Sequence, residues 1–365
     1  PCHRCSRVAS HRQPAEPNCL ALEAGQLIVG FIGGSITDPR PGYNWPEPLV
    51  AWLVATFPRA RIVVENAAIG ATGSELGVFR AKRDLIDRGC HLVFVEFAVN
   101  DFDQPTEKRM RTREGLLRQL LATGSCDVVL AYTFSQPMYG DMMADRVPAT
   151  VAEFEMVAAH YQLGSVWMGL HALREVQAGL MRWEEWLPDG LHPQHRGSLS
   201  YAQSAISFLH RELQGDAGPR RPAMPPPLNP RHWESARLLP WDQVRTTGPW
   251  TVRRWPHHGW IDLTLDTAAP GARLAFSFEG RALSLGLDFG KASANFRYRL
   301  DSPDWTPVLL DRPPWLGLAS GWYRIVNIAD DLPRGRHQFE LEVVHGDTPE
   351  CAGTNFRLGL IGVVA

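Results

Sequence analysis

Five residues of this chain, Ser35, Gly70, Asn100, Asp189 and His192, are of the types that one reaction needs. A serine hydroxyl is a weak nucleophile unless a base removes its proton. A histidine, with an ordinary pKa of about 6.5, suits that task. Asp189 stands three residues before His192 and can fold back to hold the imidazole and stabilise its cation. The tetrahedral oxyanion that follows attack needs fixed donors. The backbone N–H of Ser35, the N–H of Gly70 and the side-chain amide of Asn100 are of the right kind, and a glycine leaves its N–H sterically open. The chemistry would be acyl transfer through a serine. Each residue alone has a plainer reading. Ser35 suits a tight loop that bonds its own backbone. Asn100-Asp101 suits a turn, Gly70 is a loop glycine, and Asp189-x-x-His192 fits a helix cap or a metal pair. Their order along the chain favours the joint reading.

That order is set by the elements that carry them. Gln26-Leu-Ile-Val-Gly-Phe-Ile32 reads as a short buried strand, and Gly33-Gly34 ends it just before Ser35. Arg61–Asn66 is a second strand, with Gly70 four residues beyond it. His91–Phe97 is the clearest buried strand and leads into Asn100. Asp127–Thr133 is a fourth and Ser165–Leu170 a weak fifth. Helical spacing fills the intervals at Trp45–Phe57, Glu75–Arg88, Arg111–Thr123, Ala149–Gln162 and Gly197–Leu213, the last of these following Asp189-Gly-Leu-His192-Pro193. Strands alternating with helices give parallel crossovers and a doubly wound α/β sheet, with ligands at the carboxyl ends of its strands. Tyr43 and Asn44, and Arg40 before them, follow Ser35 closely enough to touch a substrate. Trp186, in Trp183-Glu-Glu-Trp186, either lines the pocket beside Asp189 or packs beneath that loop.

After about Gly215 the pattern changes. Gly215–Pro230 holds five prolines between Pro222 and Pro230, which excludes a helix or a central strand and suits a stiff linker or a surface strap. Beyond it, period-two segments recur at Trp260–Leu265, Arg273–Phe278, Ala282–Leu287, Ala294–Leu300, Gly321–Ile328, His337–Val343 and Phe356–Val364. They indicate an antiparallel β-sandwich. The organisation expected is an extension over 1–25, an α/β domain over 26–214, a proline-rich linker over 215–230 and an all-β domain over 231–365. Eight of the 13 tryptophans lie beyond residue 230. Most belong in a core, and exposed ones suit stacking on sugar rings.

With 365 residues, 44% hydrophobic and 21% charged, the chain is an ordinary globular protein. A net charge of −2 argues against a nucleic-acid partner. No apolar run is long enough to span a membrane. Residues 1–19 lack the apolar centre of a signal peptide, so the compartment stays open between cytoplasmic and exported with a leader removed. Cys2 and Cys5 have metal or redox spacing without a second pair, and Cys19 is open to a disulfide. Cys90 and Cys126 precede apolar runs and read as buried. His257-His258 and His192 with His195 lack a nearby set of acidic and histidine residues at ligand spacing, so solvated surface is expected, with no metal and no cofactor.

Gly34-Ser35-Ile-Thr, Gly70, Val99-Asn100-Asp101 and Asp189-Gly-Leu-His192-Pro193 together resemble the four sequence blocks of the SGNH (GDSL-type) hydrolase superfamily, over roughly residues 26–213. The resemblance implies a flavodoxin-like three-layer α/β/α domain and a Ser–His–Asp triad without metal. Ser35 would be nucleophile and first oxyanion donor, Gly70 and Asn100 the other donors, His192 the base and Asp189 its orienting acid. The first block reads Gly33-Gly34-Ser35-Ile36 instead of the aspartate-containing form, as in several carbohydrate-active members. Ala98 stands where the family often has glycine. Phe278–Leu285 and Leu332–His337 are similar to the jelly-roll β-sandwich paired with such domains in some carbohydrate esterases, where the sandwich often comes first.

The expected activity is removal of acetyl or another small acyl group from a carbohydrate, with an acylated saccharide or small ester as substrate. Two alternatives stay open. One is an O-acyltransferase using the same triad. The other is an inactive carbohydrate-binding protein. The sugar, the acyl position and the oligomeric state are not set by the sequence.

Overall fold

A computed structural model describes residues 8–10, 21–39, 44–213, 223–312 and 321–365. The chain divides into two compact units, with the boundary between Glu234 and Ser235.

In the first unit the described strands form one sheet. They are β1 (Ala9–Ser10), β2 (Gln26–Gly33), β3 (Arg61–Asn66), β4 (Leu92–Glu96), β5 (Asp127–Ala131) and β6 (Gly164–Val166), in the order β1-β6-β5-β4-β2-β3. β2 to β6 are parallel, and β1 adds an antiparallel edge through Ala9 opposite Val166. Every residue of β4 and β5 is buried, as expected where helices cover both faces. The helices are α1 (Pro46–Thr56), α2 (Ser74–Ala81), α3 (Thr106–Leu121), α4 (Tyr139–Met143), α5 (Ala149–His160), α6 (Met168–Gln177), α7 (Trp183–Trp186) and α8 (His195–Glu212). The strand expected over Ser165–Leu170 stops at Val166, and α6 begins two residues later. α2 ends in a π turn at Lys82–Ile86.

The sheet order reverses at β2. The chain goes outward to β3, then returns to β4 on the other side. Where two strands leave a parallel sheet in opposite directions, their carboxyl ends frame a crevice. Here those ends are the turn after Gly33 and the loop after Glu96, which Gly33 faces in the β2–β4 register.

The proline-rich stretch is held, over its described part, against α3. Glu114 of that helix is fully buried. Its carboxylate accepts the N–H groups of Leu228 at 2.6 Å and Asn229 at 2.8 Å, and the Tyr161 hydroxyl at 2.5 Å. Arg118 donates to the Pro225 carbonyl at 3.0 Å, and the Trp233 N–H donates to the Arg111 carbonyl at 3.0 Å. Gly115 explains itself in this crossing. A Cβ there would lie 2.4 Å from the Trp233 backbone.

The second unit is an antiparallel β-sandwich. One sheet runs β15 (Trp322–Ala329), β12 (Ala282–Phe289), β17 (Phe356–Val364), β10 (Leu263–Thr267), β9 (Thr251–Arg254), with β7 (Ala236–Leu238) also on β17. The other runs β14 (Thr306–Val308), β13 (Asn295–Leu300), β16 (Gly335–Val344), β11 (Arg273–Gly280), β8 (Arg245–Thr247). β11 alternates, with Leu274, Phe276 and Phe278 inward against Phe339, Leu341 and Val363. The short strands β7, β8, β9 and β14 escape the period-two reading because three or four residues carry too little alternation. Cys90, Cys126 and Cys351 are buried free thiols, and burial pushes the Cys90 thiol up to about 12. Cys2, Cys5 and Cys19 lie outside the described residues. His258 is not solvated surface. Its Nε2 lies 3.1 Å from the Asp288 carboxylate, which also accepts from Trp255 Nε1 at 2.8 Å and Arg357 at 3.0 Å.

His337 in β16 has acceptors on both sides of its ring. Asp301 Oδ2 lies 2.5 Å from Nδ1, while the carbonyls of Pro333 and Gly280 lie 2.9 and 3.1 Å from Nε2. Only the imidazolium donates from both nitrogens. Burial opposes the charge, but the Asp301 carboxylate and the Pro333 carbonyl outweigh it and raise the His337 pKa. A raised folded-state pKa gives stability that is complete below the unfolded value of about 6.5 and lost as pH rises through the folded value. Hydrogen-exchange protection of β16 is therefore expected to fall as pH rises above about 6.5, after correction for intrinsic exchange. His337→Gln should remove that dependence, and an unchanged pH profile in the variant would refute the assignment.

Candidate active site

Ser35 sits in a tight turn beyond β2, closed by the Thr37 and Asp38 N–H groups donating to the Gly34 carbonyl at 3.1 and 3.0 Å. Its Oγ lies 2.8 Å from His192 Nε2. His192 Nδ1 lies 2.7 Å from Asp189 Oδ2. A carboxylate only accepts, so Nδ1 carries the proton and Nε2 turns its lone pair to the serine hydroxyl. This is the tautomer that can take the Ser35 proton. Asp189 is fixed by its own loop, where Oδ1 accepts the N–H groups of His192 at 2.7 Å and Leu191 at 2.9 Å. Gly190 makes the turn with φ +77°. Burial pushes the Asp189 carboxyl up, but these hydrogen bonds outweigh it and hold it below the usual carboxylate range. The Asp189 side chain is 54% exposed and that of His192 34%, so the pair faces solvent on one side.

Asn100 follows β4. Its side chain lies against Gly34, and a Cβ built on Gly34 would stand 1.8 Å from Asn100 Oδ1 and 2.6 Å from Nδ2. Only a glycine fits before Ser35. Asn100 Oδ1 is buried and has no hydrogen-bond partner among the described residues. The next residue anchors the loop. Asp101 accepts the Ser74 N–H at 2.8 Å and Arg113 Nε at 2.7 Å, in an ion pair with almost no exposure. The Arg113 guanidinium also covers the Phe154 ring at 4.0 Å.

Gly70 departs from the expectation of an open N–H. It donates to Asp38 Oδ2 at 3.0 Å. The loop after β3 is drawn onto the Ser35 turn, with Asn66 Nδ2 donating to the Thr37 carbonyl at 2.9 Å and the Ile69 N–H to the Gly33 carbonyl at 3.0 Å. That docking brings Gly70 under the Asp38 carboxylate. Ala71, the next residue, takes a left-handed φ of +57°.

The expected substrate contacts fare differently. Trp186 is fully buried, packed between Phe134, Trp183 and Tyr201 with Gly197 beneath it. It supports the Asp189 loop and has no surface to offer a ligand. Asn44 is also buried. It accepts the Glu47 N–H at 3.0 Å and so stabilises the entry to α1. Tyr43 and Arg40 lie outside the described residues.

A model of the GDSL-like lipase/acylhydrolase family matches residues 31–198, which contain every residue of this cluster. This region is a GDSL-type (SGNH) hydrolase domain. The chain is thus an enzyme of the esterase class. A search of curated proteins finds no match. Among solved structures, the chain is similar to a two-domain esterase (CEX) active on acetylated mannans, with a TM-score of 0.79 and 23% identity over 97% of this chain and 98% of that one. The same esterase co-crystallised with mannopentaose gives 0.78 and 22%, over 97% of each chain. At that identity the likeness bears on the fold, and it extends over both units.

Reading from the sequence missed a second layer behind the GDSL-type turn. Glu96, Thr133 and Trp45 belong to no motif, Thr37 enters only as part of the first block, and only positions at or just beyond strand ends and just before α1 would have pointed to the other three. Among the described residues, no group of three or more His, Cys, Asp or Glu side chains is placed to hold a metal, and no helix is long and apolar enough to cross a membrane.

The Gly34–Asn100 contact gives a direct test. Gly34→Ala should displace the Asn100 amide; with that amide as an oxyanion donor, kcat on an aryl acetate should fall by about 10²- to 10³-fold. Circular dichroism should stay native. Wild-type kcat in a folded Gly34→Ala enzyme would separate Asn100 from the reaction.

Proposed function

We propose that this chain is a serine esterase that removes acetyl groups from an acetylated carbohydrate, with acetylated mannan the first substrate to try. The observation that carries the reading is the hydrogen-bonded chain from Ser35 Oγ through His192 to Asp189, with steps of 2.8 and 2.7 Å. The full-length likeness to an esterase active on acetylated mannans supports the choice of substrate.

In this reading Ser35 Oγ attacks the ester carbonyl as His192 Nε2 takes its proton. Asp189 holds the ring and stabilises the imidazolium. The Ser35 N–H and the Asn100 amide donate to the oxyanion, and Gly70 joins them once the Asp38 carboxylate yields its N–H. The imidazolium then protonates the departing sugar oxygen. Water, deprotonated by His192, attacks the acyl-enzyme, and acetate leaves with Ser35 restored. Desolvation of Asp189 is partial, so its charge is screened more than that of a fully buried acid.

Acetate release should be measured from acetylated mannan, acetylated xylan and an aryl acetate. Wild type should release it, with mannan the preferred polysaccharide. Ser35→Ala and His192→Ala should each lose about 10⁶-fold in kcat and Asp189→Ala about 10⁴-fold. A folded Ser35→Ala enzyme with wild-type turnover would overturn the mechanism. Turnover of the aryl ester without either polysaccharide would overturn the substrate.

A further inference from the structure

Glu96 ends β4 directly behind the Ser35 turn and is completely buried. The mechanism above gives it no part. Its Oε2 accepts the Thr37 hydroxyl at 3.1 Å and its Oε1 accepts the Thr133 hydroxyl at 2.8 Å. The Gly34 N–H also stabilises its charge. Thr37 in turn accepts Trp45 Nε1–H at 3.0 Å. One carboxylate thus ties together the residue before Ser35, the residue two after it and the first residues beyond β5. A Cβ on Gly33 would lie 3.0 Å from Glu96 Oε2, so the turn sits tightly on this group.

No cation is paired with Glu96 among the described residues. The ionisable groups that face it are Asp101, itself paired with Arg113, and Tyr201 of α8. The Asp101 carboxylate disfavours its negative charge, while Tyr201 is kept a neutral phenol by its burial and by Glu96 itself. Three donors converge on it instead, and the carboxylate accepts all three without adding a donor of its own. Thr37 accepts the Trp45 N–H and donates its own hydroxyl hydrogen to Oε2. A proton on Glu96 would remove the charge that strengthens these bonds and add a donor that must find a new acceptor, so Thr37 would have to turn its hydroxyl away from the carboxyl.

We propose that Glu96 is a positioning residue for Ser35, and that the carboxylate form holds the nucleophile turn in its reactive shape while the acid form releases it. The proposal rests on the serine-esterase reading and adds to it an ionisation separate from that of His192. Burial pushes the Glu96 carboxyl up to about 7, against the pull of its hydrogen bonds, so the change of state falls within the working range of an esterase. The active form exists above this value and is lost below it. On the acid side kcat/KM should then fall with a limiting slope of two in log units, one proton for His192 and one for Glu96.

The test follows labelling of Ser35 by a fluorophosphonate, together with aryl acetate turnover, across pH. Ser35→Ala serves as the control, and if it still labels, the nucleophile reading itself fails. In wild type the labelling rate should show the limiting slope of two. Glu96→Gln mismatches one donor, so kcat should fall by about 10²-fold, as for a displaced catalytic group. KM should change little and the slope should drop to one. Thr133→Val leaves the carboxylate in place but removes one donor. It should move the acid limb upward by about one pH unit, and it provides the reading if Glu96→Gln does not fold. A Glu96→Gln enzyme with wild-type rate and slope, or a Thr133→Val enzyme whose acid limb does not move, would refute the positioning role.

Discussion

The close approach of Gly34 to Asn100 is the constraint on which the site is built. Parallel strands lie about 4.8 Å apart, and β2 and β4 are direct neighbours at the point where the strand order reverses. Two loops leaving such neighbours collide unless one of them lacks a side chain. Gly34 lacks it, and the amide of Asn100 fills the space beside Ser35. The double glycine thus serves contact more than flexibility. Neither Gly33 nor Gly34 takes a positive φ.

Around that contact the protein spends buried charge. Asp101–Arg113 and Glu114 are almost fully enclosed. Isolated charges there would be costly, and pairing recovers the cost only with good geometry and further hydrogen bonds. Each meets that condition. Asp101 bonds the first turn of α2, Arg113 reaches the carbonyls of Thr150 and Phe97, and Glu114 takes three donors. These groups fix where α2, α3 and the strap lie, and so where the loop bearing Asn100 begins. Glu96, like Glu114, is held by neutral donors, and its complete burial pushes its carboxyl up.

Much of this was legible in the residue order. Continuous apolar runs such as His91–Phe97 mark buried parallel strands without ambiguity, and the residues after each run proved to converge on one rim. Period-two patterning found the seven longer strands of the sandwich. What escaped detection depends on tertiary neighbours. α6 begins with Met168-Gly-Leu, which continues the apolar run of β6, so its onset has no local signal. Trp186 reads equally as pocket wall or core, and only its packing under Phe134 decides. The Asp38 carboxylate on Gly70 has no sequence signature either, because two loops must meet for it to form. Glu96 looks like one more strand residue until its burial is known.

Asp189 and His192 are neighbours in sequence, whereas Ser35 lies 157 residues from His192. Local turns assemble Asp189 with His192, and the whole sheet is needed only to bring that pair to the serine. The Ser35–His192 distance therefore depends on one half-exposed loop staying docked through Gln136 N–H to the Gly190 carbonyl and on Trp186 beneath it. Segments of this kind open with less free energy than the sheet they rest on. Heat or denaturant would then separate the two halves of the site while β2 to β6 remain paired.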